Sequence, residues 1–186
     1  MRLFHLSDLH IGKRVNEFSM IEDQKYILER ILDLAEKEMP DGVILAGDIY
    51  DKQIPSAEAV QVFDEFITKL AERKLPVFVI SGNHDSAERL AFGGRLLNSR
   101  GIYLSPVYDG TVMKIPIADQ YGTVWIHLLP FIRPAAVRRV FEDESDLITD
   151  VQSAVRAVIS HMEIDPNERN ILVAHQFVTG ASRCES

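Results

Sequence analysis

The sequence predicts an α/β fold with a mainly parallel sheet at its centre. Short, almost fully apolar segments alternate with longer segments whose apolar residues recur at helical spacing. Parallel strands need a crossover connection, usually a helix, and strands covered on both faces are apolar throughout. Three strand–helix pairs are followed by a meander and by a last helix and strand. This order indicates a sandwich of helices around sheets.

The first half supplies three strands and three helices. Ser19 can cap the first helix, and Pro40 ends it. The apolar segments that begin at Gly42 and at Pro76 are typical of strands buried on both faces. In chain order, the predicted strands span 2–7, 42–47 and 76–80, and the predicted helices span 19–39, 56–74 and 87–98.

The pattern changes in the second half. Residues 103–115 and 123–129 alternate or run apolar between Gly and Pro breaks, which predicts antiparallel strands. Residues 146–162 predict a further helix, and residues 170–174 predict another buried strand. From Thr179 onward the sequence is polar, and we interpret it as a turn that interrupts the domain.

Composition predicts a globular protein of a reducing compartment. The single cysteine, Cys184, cannot form an internal disulfide, and we interpret it as a spectator thiol. The first residues lack the pattern of a signal peptide, and no apolar run approaches bilayer length. We therefore expect a cytoplasmic protein without membrane association. The net charge of −8 argues against a general nucleic-acid coat, but residues 86–140 carry seven basic and three acidic side chains and could face phosphates.

Four polar motifs follow the ends of predicted strands. They are Ser7-Asp8-Leu9-His10, Gly47-Asp48-Ile49-Tyr50-Asp51, Ser81-Gly82-Asn83-His84-Asp85 and, after the last strand, His175. Ligand sites in open α/β sheets form at the carboxyl ends of strands, so we expect these side chains to share one site. Turn or capping roles explain any one motif but not the set. Oxygen and nitrogen ligands without thiolate favour Mn²⁺, and Mg²⁺, Fe²⁺ or Zn²⁺ less firmly.

The order D-L-H, G-D-I-Y-D, G-N-H-D and A-H-Q resembles the motifs of the calcineurin-like metallophosphoesterases. Within that superfamily, F-H-L-S-D-L-H-I-G-K and V-I-S-G-N-H-D-S are similar to nucleases that process DNA double-strand breaks. The resemblance implies a four-layer sandwich, with two mixed β-sheets flanked by helices. It also implies two divalent metal ions, Mn²⁺ before Mg²⁺, and hydrolysis of DNA phosphodiester bonds.

The resemblance also implies roles for individual residues. Asp8 and His10 would hold one ion, Asp48 would bridge both ions, and Asn83 and His175 would hold the other. Three further residues would complete the catalytic set. His84 would orient the scissile phosphate or protonate the leaving oxygen, Asp85 would orient His84, and Asp51 would support the ligands from behind.

The expected partners are DNA, an SMC-like ATPase and a second copy of the chain. The resemblance implies double-strand exonuclease and single-strand endonuclease action in DNA repair and recombination. Five basic residues are candidates for contact with DNA phosphates: Lys13, Arg14, Arg89, Arg95 and Arg133.

The sequence also departs from the family pattern. The family has a later Gly-His-x-His motif that gives one further ligand to each ion, and no such motif occurs in this sequence. We therefore expect residues 1–186 to be the N-terminal part of a nuclease domain, truncated at the C-terminus. The capping and ATPase-binding regions would be absent. Two missing ligands would leave the metal site incomplete and weaken metal binding, and the fragment itself could be inactive.

Two other functions stay open. The chain could be another metallophosphoesterase, such as a protein phosphatase or an esterase for small phosphodiesters. Protein phosphatases of this fold usually have Asp-Arg-Gly after the second motif, whereas Asp51 is followed by Lys52 and Gln53 here. A non-catalytic module that binds DNA ends is the second alternative, but the full set of ligand-type residues disfavours it.

Overall fold

A computed structural model describes residues 1–177 of the chain. It has nine strands: β1 Leu3–Leu6, β2 Arg14–Val15, β3 Phe18–Ser19, β4 Gly42–Ala46, β5 Val77–Ile80, β6 Ile102–Leu104, β7 Met113–Asp119, β8 Gly122–Leu128 and β9 Arg169–Val173. The α-helices are α1 Ile21–Glu38, α2 Ala57–Glu72, α3 Ala87–Leu90, α4 Gly94–Leu97, α5 Pro134–Val140 and α6 Val151–Ser160. Short 3₁₀ turns span Asn98–Arg100 and Glu142–Leu147. The predicted α/β fold class is confirmed.

The first sheet has the strand order β1-β4-β5-β6, and each neighbouring pair is parallel. Side chains on these strands alternate between two separate cores. On β4, Val43 and Leu45 face the helices, whereas Ile44 and Ala46 face the second sheet. This double burial explains why the strand is apolar at every position.

Helices α1 and α2 cover one face of the first sheet. The buried stripe of α1 is formed by Ile21, Leu28, Leu32 and Ala35. Ser56 caps α2, because its hydroxyl accepts a hydrogen bond from the Ala59 amide at 3.2 Å. Because α1 and α2 each connect two parallel strands, both helices run back from the carboxyl edge of the sheet, where the polar motifs lie.

The second sheet covers the other face of the first sheet. Its order is β7-β8-β9, with β7 antiparallel and β9 parallel to β8. Ile115 and Ile126 of this sheet pack in one core with Ile44 and Phe78 of the first. Helices α5 and α6 form a further core, and α6 ends at a cavity that it shares with the outer face of β7 and β8. The layer order is helices, sheet, sheet, helices.

Several predicted elements differ from the structure. The predicted helix at 87–98 is two short helices, because Gly93 adopts a left-handed φ of 76° between them. Tyr103 and Leu104, at the start of the segment predicted to be antiparallel, instead belong to β6, which joins the first sheet parallel to β5. The first sheet is accordingly parallel, not mixed, through its described strands.

Helix α6 also starts later than the predicted residue 146. Asp150 forms a capping box with Ser153, so the helix begins at Val151. The predictions for the polar turn after Thr179 and for Cys184 lie outside the described residues. In the part of the chain that is described, no helix has the length and apolar character needed to cross a membrane.

Candidate metal centre

The first two motifs meet because their loops run side by side beyond β1 and β4. The Asp8 amide donates to the Gly47 carbonyl at 3.1 Å, and the His10 amide donates to the Asp48 carbonyl at 2.9 Å. The Ile11 amide continues this ladder to the loop after β4. The parallel pairing of the two strands therefore extends into the loops, and it brings Asp8 and His10 next to Asp48.

Asp48 lies at the centre of the cluster and is 3% exposed. Its Oδ2 atom is 3.7 Å from His10 Nε2 and 3.5 Å from His175 Nε2. Its other carboxylate oxygen accepts a hydrogen bond from the His84 amide at 2.9 Å. Two groups of potential ligand atoms share this carboxylate: Asp8 and His175 lie in one, and His10 and His84 in the other. The predicted carboxylate and histidine ligands all fall within these two groups, but Asp8 lies with His175 here, whereas the prediction paired Asp8 with His10.

The environment of His175 fits a bound cation. Its Nδ1 atom lies 2.7 Å from the Ala46 carbonyl, so this nitrogen carries the proton and donates. In the neutral ring the Nε2 atom then carries a lone pair and can only accept, and it faces two further acceptors. These are Asn83 Oδ1 at 3.2 Å and the Asp48 carboxylate. Three acceptors that converge without a donor are the arrangement expected around a metal ion.

The spacing of the ligand atoms gives a second, independent fit. His10 Nε2 is 3.8 Å from Asp8 Oδ1. The distances from Asp48 Oδ2 to His10 Nε2 and to His175 Nε2 are similar, at 3.7 and 3.5 Å. Such distances exceed a hydrogen bond. They are close to the roughly 3.0–3.5 Å that separates two ligand atoms when each lies about 2.1 Å from the same ion. The donor set therefore fits divalent metal ions.

Backbone geometry at the ligands is unusual. Asp8, His10 and Asp48 adopt left-handed φ values of 57°, 43° and 50°. Such values are uncommon for residues with a side chain and cluster at functional sites. Gly47 has a φ of 90°, and a Cβ atom there would lie 2.6 Å from the His175 ring. Gly82 approaches Asp48 so closely that a Cβ atom would overlap its carboxylate.

His84 is exposed beside the ligand cluster. Its ring stands edge-on to the His10 ring, with 4.8 Å between the ring centroids. Its Nδ1 atom lies 3.0 Å from the backbone carbonyl of Asp51. The Asp51 carboxylate in turn lies 3.9 Å from His10 Nδ1. Asp51 therefore holds the His84 ring through its backbone carbonyl, whereas its carboxylate lies near His10 Nδ1 without a hydrogen bond, and its role behind the ligands stays a prediction.

Asp85 has contacts that differ from the prediction. We expected it to orient His84, but its buried carboxylate accepts hydrogen bonds from three backbone amides, those of Ile49, Tyr50 and Gly82. These bonds tie the loop after β4 to the loop after β5, and the His84 ring is instead held by Asp51. Burial, with a smaller effect of the Asp85 charge, raises the pKa of the Tyr50 phenol well above its usual value, so this side chain stays neutral.

A cavity of about 280 Å³ adjoins the ligands. Its wall includes Asp8, Asn83 and His175 together with two residues that sequence reasoning missed as site residues, His5 and Phe131. Phe131 reaches the site because its amide donates to the Ser81 carbonyl at 2.8 Å. The side-chain alternation of β1 could have predicted that His5 faces the second sheet, but no pattern around Phe131 indicates the site.

The five candidate DNA contacts are all exposed. Lys13 and Arg14 begin the β2–β3 hairpin, and the Lys13 amide is bonded to the His10 carbonyl at 3.0 Å. The Arg133 guanidinium lies 5.9 Å from the centre of the Phe131 ring, at the cavity wall. The remaining two, Arg89 and Arg95, lie on α3 and α4 after the third motif.

The fold and the paired ligand groups define a metal-dependent phosphoesterase. A family model described as calcineurin-like phosphoesterase matches residues 1–185, and the chain belongs to this family. The chain is similar over its whole length to SbcD, a component of the nuclease SbcCD, from two species. It is 35% identical to the protein of Staphylococcus epidermidis and 34% identical to that of Staphylococcus saprophyticus. Both matches cover 100% of this chain and 49% of the relative, so the chain spans about half the length of these relatives.

Among solved structures, the chain is similar to Yfce, a phosphoesterase from E. coli. The TM-score is 0.35 at 15% sequence identity, and the match covers 69% of this chain and 56% of that one.

Proposed function

We propose that this chain is the catalytic part of a metal-dependent nuclease that hydrolyses phosphodiester bonds in DNA. The convergence of carboxylate, amide and imidazole ligand atoms around Asp48 carries the proposal, because their types and spacing suit divalent metal ions. The whole-length similarity to SbcD, which is named as part of a nuclease, supports the choice of DNA as substrate.

Two Mn²⁺ ions would be held around Asp48, one with Asp8 and His10 and the other with Asn83 and His175. Bound ions of this kind stabilise charge on the phosphate oxygens and supply hydroxide near neutral pH. The Ala46 carbonyl fixes the tautomer of His175, and Asp85 keeps the second and third motifs at a constant separation.

His84 is proposed to act on the substrate. Because Nδ1 donates to the Asp51 carbonyl, Nε2 is the atom left for the phosphate. A proton on Nε2 would let the ring donate to a phosphate oxygen or to the leaving oxygen. Exposure of the side chain beside the ligands is consistent with this role.

Further features of the proposal rest on the motif resemblance and on composition. They are association with an SbcC-type ATPase and with a second copy of the chain, exonuclease and endonuclease action in DNA repair and recombination, and a cytoplasmic location without membrane contact. The name of the relatives refers to a complex of more than one component, which supports a partner subunit.

A comparison of substrates tests the proposal. The chain, and a longer form that carries a Gly-His-x-His motif, are incubated with duplex DNA, with a chromogenic phosphodiester and with a phosphomonoester, in Mn²⁺, Mg²⁺ or EDTA. We expect cleavage of DNA that needs the metal and is lost in Asp48→Asn. Hydrolysis of the monoester alone would indicate a phosphatase, and retention of DNA ends without cleavage by either form would indicate a non-catalytic module.

A further inference from the structure

The loop from Asp8 to Gly12 is held on two sides. The loop after β4 accepts hydrogen bonds from its amides, as described above. On the opposite side lies the side-chain amide of Gln24, in the first turn of α1. Gln24 Nε2 donates to the Leu9 carbonyl at 3.1 Å and to the His10 carbonyl at 2.8 Å, and Gln24 Oε1 accepts from the Gly12 amide at 2.9 Å.

These three bonds complete the hydrogen bonding of a strained loop. Within residues 1–177, Gln24 is the one partner of the Leu9 carbonyl and of the Gly12 amide. His10, between them, holds a left-handed φ of 43°. A backbone in this conformation persists only where its surroundings hold it, because it costs on the order of 1–3 kcal/mol by itself.

The support for Gln24 is rigid. Its own amide donates to the Met20 carbonyl at 2.9 Å, and Leu28, one turn further along α1, is buried against the first sheet. The side chain therefore transmits the position of a packed helix to the loop that carries the first two ligands. Neither Glu nor Met could replace it, because the contact needs two N–H donors and one acceptor.

We propose that Gln24 is a positioning residue for the metal centre, which directs Asp8 and His10 towards the ion they share. The inference rests on the proposed function, because it assumes that these two side chains bind metal. Groups that orient metal ligands from behind typically change metal affinity by about 10- to 100-fold when they are removed. Gln24→Glu is the sharpest variant, because it keeps the shape and the acceptor but removes both donors.

The first measurement is calorimetric titration with Mn²⁺. Gln24→Glu should bind Mn²⁺ about 10- to 100-fold more weakly than the unsubstituted chain. Its DNA cleavage should recover at saturating Mn²⁺, with the half-maximal Mn²⁺ concentration raised by the same factor. The matched control is Gln61→Glu on α2, where Gln61 bonds only to exposed Glu65 at 2.9 Å, and its affinity should stay within about twofold.

The second measurement separates this inference from the proposed function. Amide hydrogen exchange in the metal-free chain should be faster at His10 and Gly12 in Gln24→Glu, because the Leu9 and His10 carbonyls repel the new carboxylate and the loop loses its support. Exchange in the middle of α1 should be unchanged. If the unsubstituted chain neither binds Mn²⁺ nor cleaves DNA, the proposed function fails, and the exchange result alone decides the role of Gln24. Unchanged Mn²⁺ affinity in a chain that binds the metal, or unchanged exchange at both amides, overturns the positioning role.

Discussion

Substitution of His84 can show whether this residue binds metal or acts on the substrate. Its ring nitrogen is close enough to His10 and Asp48 to be counted as a possible ligand, but its ring is exposed and held by the Asp51 carbonyl. If it acts on the substrate, His84→Ala should retain Mn²⁺ affinity within about threefold and lose cleavage by at least about 100-fold, the usual range for an acid–base group. Titration and DNA cleavage measured on one preparation check this.

A collapse of Mn²⁺ affinity in His84→Ala would make His84 a metal ligand. The variant His84→Gln is a useful companion, because it keeps a hydrogen-bonding side chain but cannot carry a transferable proton. Partial activity in His84→Gln would favour orientation of the phosphate over protonation of the leaving oxygen.

A glycine is needed at position 82 because there is no room for a side chain, and not because the backbone has a left-handed φ. A methyl group at this position would overlap the Asp48 carboxylate, which cannot move without losing its bond to the His84 amide. Gly82→Ala should therefore lower the free energy of unfolding by about 1–3 kcal/mol and abolish Mn²⁺ binding. Gly94→Ala in α4 is the control, since its nearest neighbour would be the Leu104 side chain at an ordinary 3.5 Å. Urea denaturation with equal effects in the two variants would contradict this.

Sequence reasoning predicted which candidate ligand side chains come together better than it predicted the groups that support them. Asp8, Asp48 and His175 each lie two residues beyond the end of a strand, so the position of these ends predicts that they meet. Gln24 looks like any polar residue on the outer side of an amphipathic helix, and its role depends on the three-dimensional path of a distant loop. Asp85 stands next to His84 in sequence, but its carboxylate bonds backward to another loop, which adjacency could not predict.

Local rules predicted most strands and helices, and they failed where an element depends on its neighbours. Helix α2 agrees closely because Ser56 provides its cap. Strand β6 has only three residues, and nothing in them distinguishes pairing with β5 from pairing with a later strand. Similarly, the residues before Asp150 are compatible with a helix, so the start of α6 was predicted too early. The helix in fact begins after Asp150, whose side chain caps it.

An ion pair fastens the edges of the second sheet. Arg169 at the start of β9 donates to the two oxygens of Asp119, at the end of β7, over 3.1 and 2.7 Å, and also to the Gly122 carbonyl at 2.6 Å. These bonds, with one from the Tyr121 amide, hold the pKa of Asp119 well below its usual value. The folded state thus binds the proton less readily than the unfolded state does.

The lowered pKa of Asp119 makes the stability of the fold depend on pH. The contribution of Asp119 is fully present above the ordinary carboxyl pKa of about 4 and declines as pH falls from there through the lower folded-state pKa. Asp119→Asn should have a lower melting temperature than the unsubstituted chain at pH 7, and the difference should narrow steadily below about pH 4. Thermal melts from pH 7 to pH 3 test this, with the exposed Asp146→Asn as control. A difference that stays constant with pH would contradict the linkage.

Acidic and basic side chains lie close together at the carboxyl edge of the first sheet. The carboxylates of Asp8, Asp48 and Asp51 gather at the carboxyl edge of the first sheet, while Lys13 and Arg14 project on a hairpin from the same loops. Ions bound at the carboxylates would offset their negative charge, so the edge could accept a polyanion in spite of the net charge of −8.

The hairpin cations can be tested through the salt dependence of DNA binding. Each phosphate contact adds about 0.9 to the slope of log affinity against log salt for duplex DNA. If Lys13 and Arg14 each contact one phosphate, their joint replacement by Ala should reduce that slope by about 1.8. Fluorescence anisotropy in Mn²⁺, over about 50–200 mM salt and with His84→Ala added to each protein to prevent cleavage, measures the slope with the carboxylates neutralised.

The control for this measurement is the joint replacement of Lys37 and Lys74 by Ala. Lys37 lies in the last turn of α1 and Lys74 shortly after α2, where the chain returns to the amino ends of β4 and β5. The control removes the same charge at the edge opposite the ligands, so its slope should be unchanged. Equal reductions in both variants would mean that net charge, and not contact near the metal centre, governs DNA binding. The absence of any change in the hairpin variant would remove Lys13 and Arg14 from the DNA interface.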